Sequence, residues 1–390
     1  ATFLDTTTMG ILPKHLWKDV TPETLALNEL NLSGVGSGPY KVKTVKKDGD
    51  GVPLYYELEP FKEFTLGRPK LDNLIIRFYP GEKDLIESYK RGEIESLAAI
   101  TPELAKGLAV AGARVETAPL PRVFAVFFNQ SEAPIFTNIA VREALSLSAP
   151  REEIIKEVLK GYGEAIDGPL PPGAIGGSPA KDISNSLANA SQILEKAGWK
   201  KTASGIWEKK DKKTSSRLQF KLSTASTPEL KSAAEILAKR WRELGAEVTL
   251  EVFEVGYLNQ NVIRPRNYGA LFFGEIVGTN PDPFAFWHSS QRIDPGLNIA
   301  LYANSATDKL LADSRTIIND GERGKKLTTF AEEIKKDVPA VFVYAPSFVY
   351  VLPNKIQGLI LTGLTTPADR FGNVHEWYTN TEKVWPLFTK

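Results

Sequence analysis

At 390 residues the chain is too long for one ordinary core, and length alone predicts about two or three domains. Its 42% hydrophobic and 24% charged content is the balance of a soluble globular protein, and a net charge of +1 provides no global field for nucleic acid or an anionic membrane. The absence of cysteine excludes disulfides, thiol nucleophiles, zinc knuckles and iron–sulfur sites, and fits an oxidising, extracytoplasmic compartment. No stretch reaches the roughly 20 apolar residues of a membrane span. Ala1-Thr2-Phe3-Leu4-Asp5 has neither a basic n-region nor an h-region, so the expectation is a removed leader or a chain that begins partway through a longer gene product.

In chain order, the glycine-rich run Gly34-Val35-Gly36-Ser37-Gly38 reads as a strained turn, with glycine supplying φ > 0, that feeds a strand through Tyr40-Lys41-Val42. It is no phosphate loop, because no Lys-Ser/Thr follows and no helix opens there. A second strand, Leu54–Leu58, follows a turn at 47–51. Leu74–Tyr79 is a third strand, and a helix carrying Leu85, Ile86 and Tyr89 closes at Gly92, so this region reads as a βαβ pattern. From Asn138 two helices run head to tail. The second opens at Pro150 and Gly161 stops it.

The clearest unit spans Leu218–Phe253. The strand Leu218–Leu222 leads to the helix start Thr227-Pro228-Glu229, and Leu230, Ala233, Ala234, Leu237, Trp241 and Leu244 fall on one helical face. Gly245 ends the helix and 247–253 returns as a strand, a crossover unit of a parallel sheet. Further helices are expected at 308–319 and 325–337, then an apolar strand at 340–344.

The order of these elements then becomes specific. Ile11-Leu12-Pro13-Lys14-His15, Gly36-Ser37-Gly38-Pro39-Tyr40 and Gly92-Glu93-Ile94-Glu95 are similar to the first-lobe signature of family 5 extracellular solute-binding proteins, the peptide/nickel class of ABC importer receptors. So are Phe127-Phe128-Asn129, Val141-Arg142-Glu143-Ala144-Leu145, Arg151–Ile155, Pro281-Asp282-Pro283, Trp287-His288-Ser289-Ser290 and Pro295-Gly296-Leu297-Asn298. The resemblance implies an α/β, two-lobed periplasmic-binding-protein-like fold (type II, cluster C) with mixed sheets flanked by helices. Lobe I would comprise 1–124 and 350–390 and lobe II 125–349, with hinges near 122–129 and 344–352. The stretch Trp377-Tyr378 to Trp385-Pro386 would dock on lobe I. Because family members run longer at the N-terminus, lobe I would lack strands that another chain or segment supplies.

The chemistry is read against this background. Only His15, His288 and His375 are present, far apart and without ligand spacing, so neither a metal site nor a His-based triad is expected, and no cofactor is. Ligands of open α/β sheets settle at the carboxyl ends of strands, which points to the end of Ala270–Gly274 and the loop beyond it. The candidate ligand-binding residues are Phe273, Gly274, Glu275, Ile276, Trp287, His288, Asn298 and Tyr302. Trp287 and His288 either touch ligand or belong to a loop anchored by a buried indole, while Glu275 is either a contact or a solvated strand end. Peptide binders of this family often place an aspartate at the position of Gly278 or Thr279, which here leaves Glu275 or Asp282 as the counter-charge for an amino group.

The expected function is an extracytoplasmic receptor of an ABC importer, without enzymatic activity, that grips a peptide or similar small solute by hinge closure and presents it to a membrane permease. A signalling receptor or scaffold of the same fold and a carboxylate-dependent hydrolase are the alternatives. Nucleic acid is not an expected partner.

Overall fold

A computed structural model describes residues 10–32, 34–177, 180, 186–210, 215–278 and 280–379. They divide into two compact units: a middle unit, Pro119–Phe348, and an end unit built from 10–118 and 349–379.

In the end unit, β1 (Tyr40–Lys47), β2 (Pro53–Pro60) and β3 (Leu74–Arg77) form an antiparallel meander. The β1–β2 turn closes because the Asp48 carboxylate accepts from the backbone N–H groups of Asp50 and Val52, both at 2.9 Å, and Gly51 adopts φ +83°, which costs a residue without Cβ little. Helix α1 (Glu82–Lys90) ends at Gly92, φ +72°, and is followed by β4 (Leu97–Ala98), α2 (Pro102–Val110) and β5 (Arg114–Pro119). Thr101 caps α2 by accepting from the Leu104 N–H.

Two expectations are corrected here. β3 pairs antiparallel with β2 while β4 belongs to a different sheet, so α1 links two sheets and is no parallel crossover. Gly34, Gly36 and Gly38 do not adopt positive φ, so that turn does not rely on the left-handed conformation.

The middle unit opens with β6 (Arg122–Phe128), α3 (Ile139–Leu147), α4 (Arg151–Glu157), β7 (Gly163–Ala165) and α5 (Leu187–Lys196). The small antiparallel sheet of β8 (Lys200–Lys201), β9 (Trp207–Lys210) and β10 (Ser215–Arg217) follows. Then come β11 (Gln219–Ala225), α6 (Pro228–Leu244), β12 (Glu247–Phe253), β13 (Ala270–Ile276), α7 (Phe284–Trp287), α8 (Ser305–Thr316), α9 (Asp320–Asp337) and β14 (Ala340–Leu352). The main sheet runs β12-β11-β13-β6-β14, parallel between β11 and its two neighbours and antiparallel at β13–β6 and β6–β14.

The crossover read from the sequence is present. α6 buries Leu230, Ala233, Ala234, Leu237, Ala238, Trp241 and Leu244, and each large apolar side chain removed from water contributes about 1.5–3 kcal/mol. Gly245 ends it in the left-handed region at φ +110°, where a Cβ would also meet the Gly205 carbonyl oxygen at 2.6 Å. Thr227 occupies the cap position but makes no side-chain capping bond. The late helices are shifted from expectation. Asn304 caps α8 and Asn319 caps α9, each through its side-chain oxygen, so Asn319 begins the second helix instead of ending the first.

Two arginines of the family-like motifs act as staples. Arg142 donates to the carbonyls of Phe136, Asp337 and Val338 at 2.6–2.9 Å, closing the carboxyl end of α9. Arg151 donates to Ile166, Phe342 and Ser146 carbonyls, and its burial pushes its guanidinium down to about 10.

β14 is longer than expected. Its 350–351 stretch lies in the end unit and pairs with β4 at Tyr350↔Ala98 and Val351↔Leu97. There β15 (Ile356–Gln357) pairs with β16 (Tyr378–Thr379). The Trp377 indole, 5.8 Å from Phe371 and 6.3 Å from Tyr350, donates to Asn373 Oδ1. Trp385 and Pro386 lie outside the described residues.

Candidate ligand-binding site

β13 is central to the main sheet. Along its whole length it pairs with β6: Phe273 faces Ala125, Gly274 faces Phe124, Glu275 faces Val123 and Ile276 faces Arg122. On its other side the ladder with β11 covers only Ala270, Leu271 and Phe272. Residues 273–276 therefore present one edge with no strand partner among the described residues. Phe273 and Gly274 are half-buried there, and Ile276 is 58% exposed.

Gly274 is glycine for a local reason. The Phe124 ring, stacked at 4.8 Å on Tyr344, lies over it, and a Cβ would come within 2.6 Å of the ring.

Glu275 is 4% exposed, and neither carboxyl oxygen has a hydrogen-bond partner among the described residues. Burial alone pushes its carboxyl well above the ordinary range, since nothing offsets the loss of hydration. Its alternative reading as a solvated strand end is thereby set aside. Asp282, the other acid expected as a counter-charge, is already engaged: Arg315 Nε lies 3.0 Å from both of its oxygens and Nη2 lies 2.6 Å from one. Gly278 brings no side chain, and Thr279 lies outside the described residues.

The loop beyond β13 is a connected scaffold. The Trp287 indole is 1% exposed, with ring centroids 5.8 Å from Phe342, 6.1 Å from Phe127 and 6.3 Å from Tyr302, so the structure places it as the buried anchor of the loop. His288 stacks on Phe284 at 4.0 Å. Its Nδ1 accepts from the Ser290 N–H at 3.1 Å, and its Nε2 lies 3.9 Å from Asp308. The other face-on contact of Phe284 is the Arg315 guanidinium, at 3.9 Å. Ser289 donates to Asp308 through its N–H and hydroxyl, tying the loop to α8.

Asn298 is fully buried. Its amide donates to the His288 and Tyr302 carbonyls and its oxygen accepts from the Tyr302 N–H. The Tyr302 hydroxyl donates to Asp337 at 2.5 Å, and burial first, then that bond, pushes the phenol far up. Of the eight candidates, then, Phe273, Gly274, Glu275 and Ile276 lie together on β13, His288 is half-buried beside Phe284, and Trp287, Asn298 and Tyr302 form the interior support of the loop.

Arg323 was not singled out from the sequence. It is 2% exposed and donates to the Asn280 side chain and the Pro281 carbonyl, holding the loop that leaves β13. The signal was available: Arg323, Leu327, Phe330, Ala331 and Ile334 share the buried face of α9 once the helix is started at Asn319. Among the described residues no group of three or more His, Asp or Glu side chains is arranged to hold a metal ion.

The family model described as bacterial extracellular solute-binding proteins, family 5 middle, matches residues 6–293. The chain belongs to that family. Among curated family 5 relatives, the oligopeptide-binding protein AppA of Bacillus subtilis is 28% identical over 384 residues, covering 96% of this chain and 67% of its own length. The probable di/tripeptide-binding protein 5 of Pseudomonas aeruginosa is 27% identical, covering 83% of this chain and 59% of its own length. The chain thus spans roughly three-fifths to two-thirds of these relatives. The solved structure of the Bacillus subtilis protein in complex with a nonapeptide matches with a TM-score of 0.67 at 26% identity, over 95% of this chain and 72% of that one. HbpA2 from Haemophilus parasuis matches in fold, with a TM-score of 0.79 at 18% identity, over 97% of this chain and 71% of its own. The α/β architecture of mixed sheets flanked by helices is that of family 5 binding proteins.

Proposed function

We infer that the chain is the ligand-capturing receptor of an ABC importer, working outside the cytoplasm and handing a peptide or similar small solute to a membrane permease. The observation that carries this reading is the edge of β13 at 273–276, where the β11 ladder stops at Phe272. A strand with one unpaired row of N–H and C=O groups binds an extended backbone by strand addition, with neighbouring side chains giving selectivity. Family membership and the peptide-binding relatives support the ligand class.

Glu275 narrows it. A buried carboxyl with no partner gains most from a ligand that brings a cation, so a free amino group is the ligand feature it selects. Phe273 and Ile276 would flank the ligand, with Trp287, Asn298 and Tyr302 fixing the loop beneath. Capture would bring the two units together about hinges near 122–129 and 344–352, the ligand favouring whichever arrangement it contacts more. No helix among the described residues is long and apolar enough to cross a membrane. Membrane attachment, where it exists, would therefore come through other means than those helices.

Native mass spectrometry of the gently purified protein tests the reading. A co-purified peptide or amine-bearing solute, displaced on partial unfolding, is the expected result. A panel of free and N-acetylated peptides that all fail to bind in calorimetry, with nothing co-purified, would contradict it.

A further inference from the structure

Side chains of a strand alternate between its two faces, so the β6–β13 pair presents different chemistry above and below the edge 273–276. Glu275 and Val123 share one face; Arg122, Phe124, Gly274 and Ile276 share the other. On this second face the Phe124 ring, stacked on Tyr344, leans over Gly274, and Ile276 is 58% exposed beside it. Arg122 stands directly opposite Ile276, and opposed residues of an antiparallel pair hold their Cβ atoms about 5 Å apart. The result is a shelf with a glycine floor, an aromatic ring, an exposed aliphatic side chain and a guanidinium at its end.

Arg122 differs from the structural arginines of the same unit. Arg142 and Arg151 are saturated by backbone carbonyls that they hold in place. Arg122 is partly exposed, yet its Nε is buried with no acceptor, and its guanidinium has no hydrogen-bond or ion-pair partner among the described residues. Glu229 lies within electrostatic reach of the Tyr344 hydroxyl but makes no ion pair with Arg122. A native interior rarely leaves such a donor unmet, and a carboxylate bound side-on to a guanidinium takes Nε together with one Nη.

We propose that Arg122 makes the site selective for a ligand with an acidic side chain, whose methylene stem lies against Phe124 and Ile276 and whose carboxylate closes on the guanidinium. This rests on the strand-addition reading of 273–276 and adds to it a preference for ligand sequence. Neighbouring residues of an added strand point to opposite faces, so the group next to the acidic one faces the Glu275 side and is a cation. The preferred ligand therefore alternates in charge, an acid toward Arg122 and an amine toward Glu275. A lysine at 122 would keep the charge but lose the planar fork that meets both carboxylate oxygens.

The test is calorimetry on the ligand-stripped 390-residue chain with alanine tetrapeptides, free at the amino end and amidated at the carboxyl end, carrying Glu or Gln at each position in turn. At one position the Glu peptide should bind at least about tenfold more tightly than its Gln counterpart, the gain expected of a charge-assisted hydrogen bond. Arg122→Gln should abolish that difference and leave the Gln peptides unaffected, while Arg122→Lys should retain part of it. Equal affinities for Glu and Gln peptides at every position, or a preference that survives in Arg122→Gln, overturns this proposal and leaves the receptor reading standing. Failure of every peptide to bind the wild type overturns both.

Discussion

Glu275 is held in an environment that gives a charge nothing in return: Val123 lies opposite it on β6, and burial is the cause of its upward shift. A folded-state value raised above the ordinary 4.5 means that the native protein holds a proton the unfolded chain has released. Stability from this residue is therefore greatest below about pH 4.5 and falls as pH rises through the folded-state value. Thermal melts of Glu275→Gln should show a higher unfolding temperature than the wild type at pH 7–8 and little difference near pH 4. A variant destabilised equally at all pH values would mean that the carboxylate has a partner. In ligand binding the sign reverses: the same substitution should weaken peptides with a free amino group by about tenfold or more and leave N-acetylated ones unaffected, as calorimetry would report. Asn298 makes the opposite case, since all its bonds are internal. Asn298→Ala should cost about 1–3 kcal/mol in urea unfolding, because the Tyr302 N–H and two carbonyls lose their partner. An unchanged midpoint would show that the loop does not depend on it.

Among the elements, the order of β11, α6 and β12 was legible because its signals are local, a proline start, one apolar face and a terminating glycine, although Thr227 makes no capping bond and β11 runs on to Ala225. The most costly side chain of α6 is Trp241, fully buried, 5.7 Å from Phe220 and bonded through its indole N–H to the Leu145 carbonyl. Trp241→Ala should lose about 3–5 kcal/mol by chemical denaturation, and a loss under 1 kcal/mol would deny it that place in the core. Other elements resisted sequence reading where the deciding partner is distant in the chain. Nothing near Leu74 says that β3 pairs back with β2 while β4 pairs with β14, so strand, helix, strand passed for a crossover. Asn319 can follow one helix or cap the next, and only the bond to the Glu322 N–H decides. Along β13 the strand and its glycine were readable, but the pressure of Phe124 on Gly274 and the isolation of Glu275 come from β6. For the same reason Trp287 remained open between ligand and core until Phe127 and Phe342 were seen around it.

For the molecule as a whole, the family and its α/β class were readable from ordered short motifs, yet several of those motifs prove to be structural staples. Arg142, Arg151 and Asn298 hold carbonyls, and the edge proposed to take the ligand lies on β13, which carries none of those motifs. The proposed function thus rests on an edge of four residues, 273–276, within a well-packed sheet. Hydrogen exchange across that edge, compared between ligand-loaded and ligand-stripped protein, addresses the receptor reading most directly. Slowed exchange at 273–276 on loading, with the fully paired Ala270–Phe272 segment unchanged, is the predicted result. Equal exchange at 273–276 in both states, with a tight ligand demonstrably bound, would place the solute elsewhere and contradict it.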